Sequence, residues 1–459
     1  MNFVSLYNVI SDTTVMKNIL AGLSILLWSI LHTGYADTSG CKGCLILTPF
    51  IKNGSASEAR KLSQIDDKNY YGIISHTGFI TVKETYNSNL FFWFFPHQFG
   101  LAMVPWIIWL QGGPGFSSLV GLFDMFGPIK IEDGTVKLRN VTWASDYSLL
   151  FIDNPVGAGF SFTEDERGYV NNEDDVGEQL LEFIQQFLEM FPELRTAPLF
   201  ITGESYGGKY VPAFGIQIQR HKTDRHPINL KGLAIGNGLI DPRSMMHYSD
   251  LVNVIGILDD SHIERLRVME ENVVKLIDEV RMVDAANKFN ETIEFIKKNS
   301  GISVYNFNRN PSNGLPSFES YINRPDVRDV IHVGNASFNY NNQVVYKKML
   351  PDIMNSTKPF IQELLEHYGV MSYSGQLDII VAYSLSKHTY KLLEWSGRQE
   401  YERAPRKRLR RFINGTIVGY KKSGGNFTEV LVRNAGHMVP VDQPEVAKFI
   451  IDRFIDEYK

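Results

Sequence analysis

The stretch "LFITGESYGGKYVP", Leu199 to Pro212, sets a short apolar run directly before Gly203-Glu204-Ser205-Tyr206-Gly207 and then resumes with residues that suit a helix. The run predicts a strand and the sequel predicts a helix. Between them, G-x-S-x-G is the pattern of a strained turn that lifts a serine oxygen out of a sheet end, because glycine tolerates the close backbone approach such a turn needs. Ser205 is therefore the candidate nucleophile. A serine in an ordinary glycine turn fits the same five residues, so other parts of the chain must decide.

A serine hydroxyl is a poor nucleophile without a base, and the base needs an acid to orient it; on such an elbow they follow in the order Ser, Asp, His. "VMSYSGQLD" puts Asp378 just past an apolar run, and "VLVRNAGH" puts His437 just past another. Of eleven histidines, His262 and His388 fall in helical patterns, whereas His437 joins a strand exit, an Ala-Gly turn and a place after the acid. The developing oxyanion needs two backbone N–H donors. Tyr206 supplies one, and the glycine turn in "WIIWLQGGPGFSS", with Gly112 and Gly113, offers the other.

The remaining pattern predicts an α/β fold. "LFFWFFPHQFGLAMVPWIIWL", Leu90 to Leu110, is uncharged, but its two prolines, glycine, His97 and Gln98 suit two buried strands joined by a turn better than one helix. Further short apolar runs follow at Leu149 to Ile152, Leu199 to Thr202, Leu230 to Ile235, Val370 to Ser374 and Val430 to Arg433. "DVGEQLLEFIQQFLEMF" has apolar residues at helical spacing. Strands alternating with helices imply a central, mostly parallel mixed sheet flanked by helices. From about Asp241 to Glu366 the texture changes to charged amphipathic helices, "IERLRVMEENVVKLIDEV" and "AANKFNETIEFIKK". The expected organisation is a signal peptide over 1–36, core over 37–240, a mainly helical insertion over 241–366, and core again over 367–459.

The signal reading rests on "MKNILAGLSILLWSILHTGYADTSG" from Met16: one lysine, a short apolar core, and a Gly-x-Ala exit with cleavage after Ala36 and a translation start at Met16. The apolar core is shorter than the roughly 20 residues of a membrane span. Asn-x-Ser/Thr acceptors at Asn53, Asn140, Asn290, Asn335, Asn355, Asn414 and Asn426 agree with a secreted or lysosomal glycoprotein. The only cysteines, Cys41 and Cys44, cannot staple the body of the chain, and no strand-helix unit surrounds them to suggest redox chemistry. A net charge of -5 over 459 residues gives no field to attract nucleic acid. The basic run "RAPRKRLRRF", Arg403 to Phe412, is expected as a solvated helix face.

The segments "WLQGGPGFSS", "FIDNPVGAGFSFT", "GESYGGKYVP", "GNGLIDP", "YSGQLDIIVAY" and "GHMVPVDQP" together resemble the signature blocks of the serine carboxypeptidase family. "TYNSNLFFWFF" and "IHVGNASFN" resemble its vitellogenic-like branch. The resemblance implies an α/β-hydrolase fold, no metal and no organic cofactor. It makes Ser205 the nucleophile, His437 the general base and acid, Asp378 its orienter, and the Gly113 and Tyr206 N–H groups the oxyanion hole. It implies peptide or protein C-termini as substrate, cut at the last bond at acidic pH.

The family grips the substrate's carboxylate with residues that fall here on Gln111, Gly112 and Glu204, and with a second glutamate whose place is taken by Met125. Two touching carboxyls share a proton and one can donate. With Met125 there, Glu204 is expected to ionise and weaken recognition of the C-terminus. That departure leaves two alternatives: a serine esterase or acyltransferase on the same fold, and a non-catalytic yolk, storage or binding protein.

Overall fold

Apolar runs rich in aromatic and β-branched residues form strands buried on both faces. In the computed structural model, which describes residues 40–65, 68–223, 226–311, 318–411 and 415–459, they build one eleven-stranded sheet. Its strands are β1 (Gln64–Ile65), β2 (Ser75–Lys83), β3 (Ser88–Phe95), β4 (Trp106–Leu110), β7 (Ser148–Ile152), β8 (Leu199–Glu204), β9 (Leu230–Gly236), β10 (Gly369–Gly375), β11 (Lys407–Arg410), β12 (Ile417–Gly424) and β13 (Phe427–Val432); β5 (Ile129–Glu132) and β6 (Thr135–Leu138) form a separate hairpin. The order is β1-β2-β3-β7-β4-β8-β9-β10-β13-β12-β11. The six central strands, β7 to β13 in that order, run parallel, and antiparallel pairs flank them on both sides. This is an α/β-hydrolase fold. The Leu90 to Leu110 run does split into β3 and β4, and β7 lies between them in the sheet.

Helix α1 (Glu173–Met190) covers the sheet with a stripe of Val176, Leu180, Phe183, Ile184, Phe187 and Leu188, all buried. Asn172 caps it by accepting from the Asp175 N–H at 2.8 Å, and Asp174 and Asp175 complement the dipole of its first turn. Phe187 centres an aromatic cluster, with ring centroids 5.4 Å from Phe92, 5.2 Å from Phe94 and 4.8 Å from Phe191. Helix α2 (Gly207–Arg220) follows the elbow and packs on α1. Residues 242–365 contribute helices and no strand among the described residues; the longest, α3 (Asp260–Asp278) and α4 (Met282–Ser300), pack on each other, and α5 (Gln343–Ile353) packs on α4.

One expectation is corrected. The basic run is not a helix face: the helix Arg398–Arg403 ends at its first residue, and Lys407–Arg410 is the edge strand β11, with Arg408 opposite Tyr420 and Leu409 opposite Gly419. Charges on an edge strand blunt its tendency to pair with other chains, and the Arg406 guanidinium, between the Tyr383 and Tyr420 rings at 5.0 and 4.9 Å, fixes the approach. Cys41 and Cys44 are both disulfide-bonded. The signal segment and Asn414 lie outside the described residues. Asn53, Asn140, Asn335 and Asn426 are exposed, while Asn290 and Asn355 are half-buried. No helix among the described residues is long and apolar enough to cross a membrane.

Because Phe187 is fully buried and packs on Phe92 and Phe94 of the sheet and on Phe191 just past its own helix, Phe187→Ala should lower unfolding free energy by about 3–5 kcal/mol. Urea denaturation followed by far-ultraviolet circular dichroism measures it, and a loss below about 1 kcal/mol would refute this account of the core.

Candidate active site

Parallel strands deliver their C-terminal ends to one edge, and β4, β8, β9, β10 and β13 are neighbours in the sheet. Their exits carry Gln111 to Gly113, Ser205, Asn237, Asp378 and His437 respectively. Ser205 follows β8 directly with φ +63°, a left-handed conformation that non-glycine residues seldom adopt. Three main-chain bonds hold it there: the Ser205 N–H donates to the Gly236 carbonyl at 3.0 Å, and the Ser205 carbonyl accepts from Gly208 and Leu239, each at 2.9 Å. A Cβ on Gly203 or Gly207 would lie within 3 Å of the Leu110 carbonyl oxygen, and one on Gly112 would lie 2.5 Å from the Tyr206 nitrogen. The glycines are thus required by the closeness of β4 to the elbow.

His437 Nδ1 and Asp378 Oδ2 are 2.9 Å apart, both residues buried. His437 Nε2 has no hydrogen-bond partner among the described residues. Burial opposes the imidazolium, but the Asp378 charge, its hydrogen bond and Glu204 outweigh burial and raise the His437 pKa above the ordinary value. The candidate oxyanion donors, the Gly113 and Tyr206 N–H groups, are engaged by no backbone carbonyl among the described residues. Beside them Phe116 is half-buried and meets Tyr340 edge to face at 5.1 Å.

Glu204 is fully buried, and Gln111 Nε2 donates to its Oε1 at 3.2 Å while Trp109 Nε1 donates to Gln111 Oε1 at 3.0 Å. The tryptophan fixes which end of the amide faces the carboxyl. Glu204 Oε2 has no partner among the described residues. Burial pushes the Glu204 pKa up to about 7, against the lowering effects of His437 and the Gln111 bond. The expectation that Glu204 ionises for lack of a second carboxyl is therefore corrected: burial, with the Asp378 and Asp442 charges nearby, disfavours its charge. Met125 itself is fully buried in the π-helical turn Gly121–Phe126, which packs against the short helix Val439–Asp442 that follows His437.

Several supporting residues escaped the sequence reading. Asn237 Nδ2 donates to Asp378 Oδ2 at 2.6 Å, and Asn237 Oδ1 accepts from the Gly375 N–H at 3.2 Å. Its φ of +40° suits asparagine, and the Gly-Asn-Gly at a strand exit was the available signal. Asp153 accepts from Ser117 Oγ at 2.6 Å, Ser118 N at 2.9 Å and Phe160 N at 2.9 Å, bracing the Gly-Gly-Pro-Gly turn. The loops of acid and base are clamped by residues 304–309, distant in sequence: the Tyr305 carbonyl accepts from the His437 N–H at 2.6 Å, and the Val304 carbonyl accepts from the Ile379 N–H at 2.9 Å. Asp442 joins Asn306 Nδ2 at 2.9 Å to the Gly436 N–H at 2.7 Å.

Known proteins share this arrangement's sequence and fold. The family model described as serine carboxypeptidase matches residues 67–457. A venom serine carboxypeptidase of Apis mellifera is 44% identical over 424 residues, covering 89% of this chain and 90% of the relative. A vitellogenic carboxypeptidase of Aedes aegypti is 39% identical, covering 89% of each. Among solved structures, Kex1(Δ)p, a prohormone-processing carboxypeptidase from Saccharomyces cerevisiae, superposes with a TM-score of 0.78 at 26% identity, over 87% of this chain and 96% of that one. The chain belongs to the serine carboxypeptidase family. It is a serine hydrolase of carboxypeptidase type, and these likenesses favour neither the esterase or acyltransferase alternative nor the storage one.

Asn237→Ala removes a hydrogen bond to the buried Asp378 carboxylate, a bond of the kind worth about 1.5–3 kcal/mol. Expressed in the barrier, this lowers kcat roughly 10- to 100-fold. Steady-state kinetics beside an unchanged circular dichroism spectrum test it, and wild-type kcat would contradict the role.

Proposed function

We propose that this protein releases C-terminal residues from peptides by a covalent route in which Ser205 Oγ attacks the last peptide carbonyl as His437 Nε2 takes its proton. The tetrahedral oxyanion is held by the Gly113 and Tyr206 N–H groups. Its collapse breaks the C–N bond, His437 returns the proton to the leaving amine, and the free residue departs. Water, deprotonated by His437, then hydrolyses the acyl-enzyme and restores Ser205. The observation that carries this reading is the Asp378–His437 pair, with Nε2 unpartnered, at the sheet edge where the strained Ser205 elbow stands.

Gln111, the Gly112 N–H and Glu204 bind the free carboxylate of the substrate. A neutral Glu204 carries an O–H that donates to that carboxylate, whereas an ionised one repels it. The two titrating groups are coupled: Glu204 protonated with His437 neutral holds as many protons as the reverse pair, and the charge of an ionised Glu204 helps raise His437. A substrate carboxylate selects the first arrangement, which is also the one in which His437 can act as base. Weakened recognition on account of Met125 is confined, in this reading, to pH above about 7.

Passage through the secretory route to a secreted or lysosomal destination is supported by the apolar N-terminal segment, by the exposed acceptors at Asn53, Asn140, Asn335 and Asn426, and by the oxidised cysteines.

Ser205→Ala should abolish fluorophosphonate labelling and lower kcat by a factor on the order of 10⁶. The sign of the pH dependence follows from Glu204. Its proton is present below about 7 and lost above, so KM for a blocked dipeptide with a free carboxylate should rise as pH passes 7. KM for the corresponding C-terminal ester should not, and Glu204→Gln should flatten the rise. A wild-type KM that stays constant from pH 5 to 8 for the free acid would refute the assignment.

A further inference from the structure

We propose that Asp352 is a positioning residue for the oxyanion hole, gripping the Tyr206 hydroxyl from below so that the Tyr206 N–H stays aimed at the carbonyl under attack; this rests on the acyl-transfer reading of Ser205. Tyr206 has two ends. Its backbone lies between the nucleophile and the first turn of α2, and its side chain runs into the interior, where the residue is 2% exposed. There the hydroxyl donates to Asp352 Oδ2 at 3.1 Å. No side chain caps the N-terminus of α2, so the phenol is the side-chain anchor of the residue that carries the oxyanion donor.

Asp352 is itself pinned. Asn355 Nδ2 donates to its Oδ1 at 3.0 Å, and Lys209, one turn into α2 and fully buried, donates from Nζ to the Asp352 carbonyl at 2.9 Å and to the Asn355 carbonyl at 2.5 Å. The Lys209 ammonium also stands 3.6 Å from the Asp352 carboxylate. Glu173, from the first turn of α1, completes the cluster: neither carboxyl oxygen has a hydrogen-bond partner among the described residues, and burial followed by the Asp352 charge holds its pKa well above the ordinary value. Lys209 and Asp352 tie α2 and α5 together, with Glu173 of α1 buried beside them.

A buried ion pair is weak evidence for stability, since well-packed apolar residues often serve as well. What a hydroxyl on a carboxylate adds is direction. Apolar contact, such as the edge-to-face packing of Tyr206 on Tyr210 at 5.1 Å, tolerates small rotations that a hydrogen bond to a fixed oxygen resists. Oxyanion donors act by being in place before charge develops, so small misalignment there is felt in the transition state and not in substrate binding.

The test is Tyr206→Phe, which deletes one oxygen and leaves the Lys209–Asp352 pair intact; Asp352→Asn serves as a second variant. The expected signature is a kcat about 10-fold lower with KM within twofold, a peptidyl boronate that binds weaker by the same factor because it mimics the tetrahedral state, and an unchanged inhibition constant for the product peptide. Tyr206→Phe with wild-type kcat and boronate affinity, whatever its melting temperature, overturns the proposal and leaves the cluster purely structural. Fluorophosphonate labelling of the wild-type protein separates the two levels: absence of labelling at Ser205 overturns the acyl-transfer reading, and this proposal with it.

Discussion

The left-handed conformation of Ser205 is the constraint on which the site depends. A non-glycine residue at positive φ carries strain on the order of 1–3 kcal/mol and persists only where its surroundings over-determine it. Here the surroundings are main chain: the Gly236 carbonyl on β9 accepts from the Ser205 N–H, and the Ser205 carbonyl accepts from Gly208 and Leu239. Those contacts require β4, β8 and β9 to converge so closely that Gly112, Gly203 and Gly207 have no room for a Cβ. The same convergence brings the glycine turn after β4 beside the Tyr206 nitrogen, which is how one strained residue sets the proposed nucleophile beside the proposed oxyanion donors.

Burial decides the electrostatics around that elbow. Glu204, next to Ser205 in sequence, ends β8 inside the sheet, and burial, with the Asp378 and Asp442 charges nearby, pushes its pKa up to about 7. Asp153 shows the same effect with a different balance: burial raises it to about 6, while hydrogen bonds from Ser117, Phe160 and Ser118 pull the other way. In both cases a carboxyl is placed where water is absent and N–H or O–H donors are few and fixed. Burial thus holds a proton on Glu204 in a way that needs no carboxyl at Met125.

The helical stretch between the two halves of the sheet belongs to the site. Its residues 304–309 hold the loops of both Asp378 and His437, and Asp352 reaches the underside of Tyr206. Ser205, Asp378 and His437 are separated by long spans of sequence, so their geometry needs a brace that touches each loop. Main-chain carbonyls at Val304 and Tyr305 brace the loops of Asp378 and His437, and Asp352 reaches the residue after Ser205.

Periodicity and punctuation in the sequence were enough to determine the mixed sheet, α1, the elbow, and Ser205, Asp378 and His437 as the candidates at strand exits, because each depends on local apolar runs and on glycine at particular places. The edge strand β11 was not legible, since a run of arginines looks alike as a helix face and as a strand until Tyr383 and Tyr420 enclose Arg406. Nor were Asn237, Asp442, the 304–309 clamp or the Asp352 anchor, whose partners lie up to 146 residues away. The protonation of Glu204 belongs with these: its identity is written in the chain, but its pKa depends on how much water reaches it, and only the packed tertiary structure sets that.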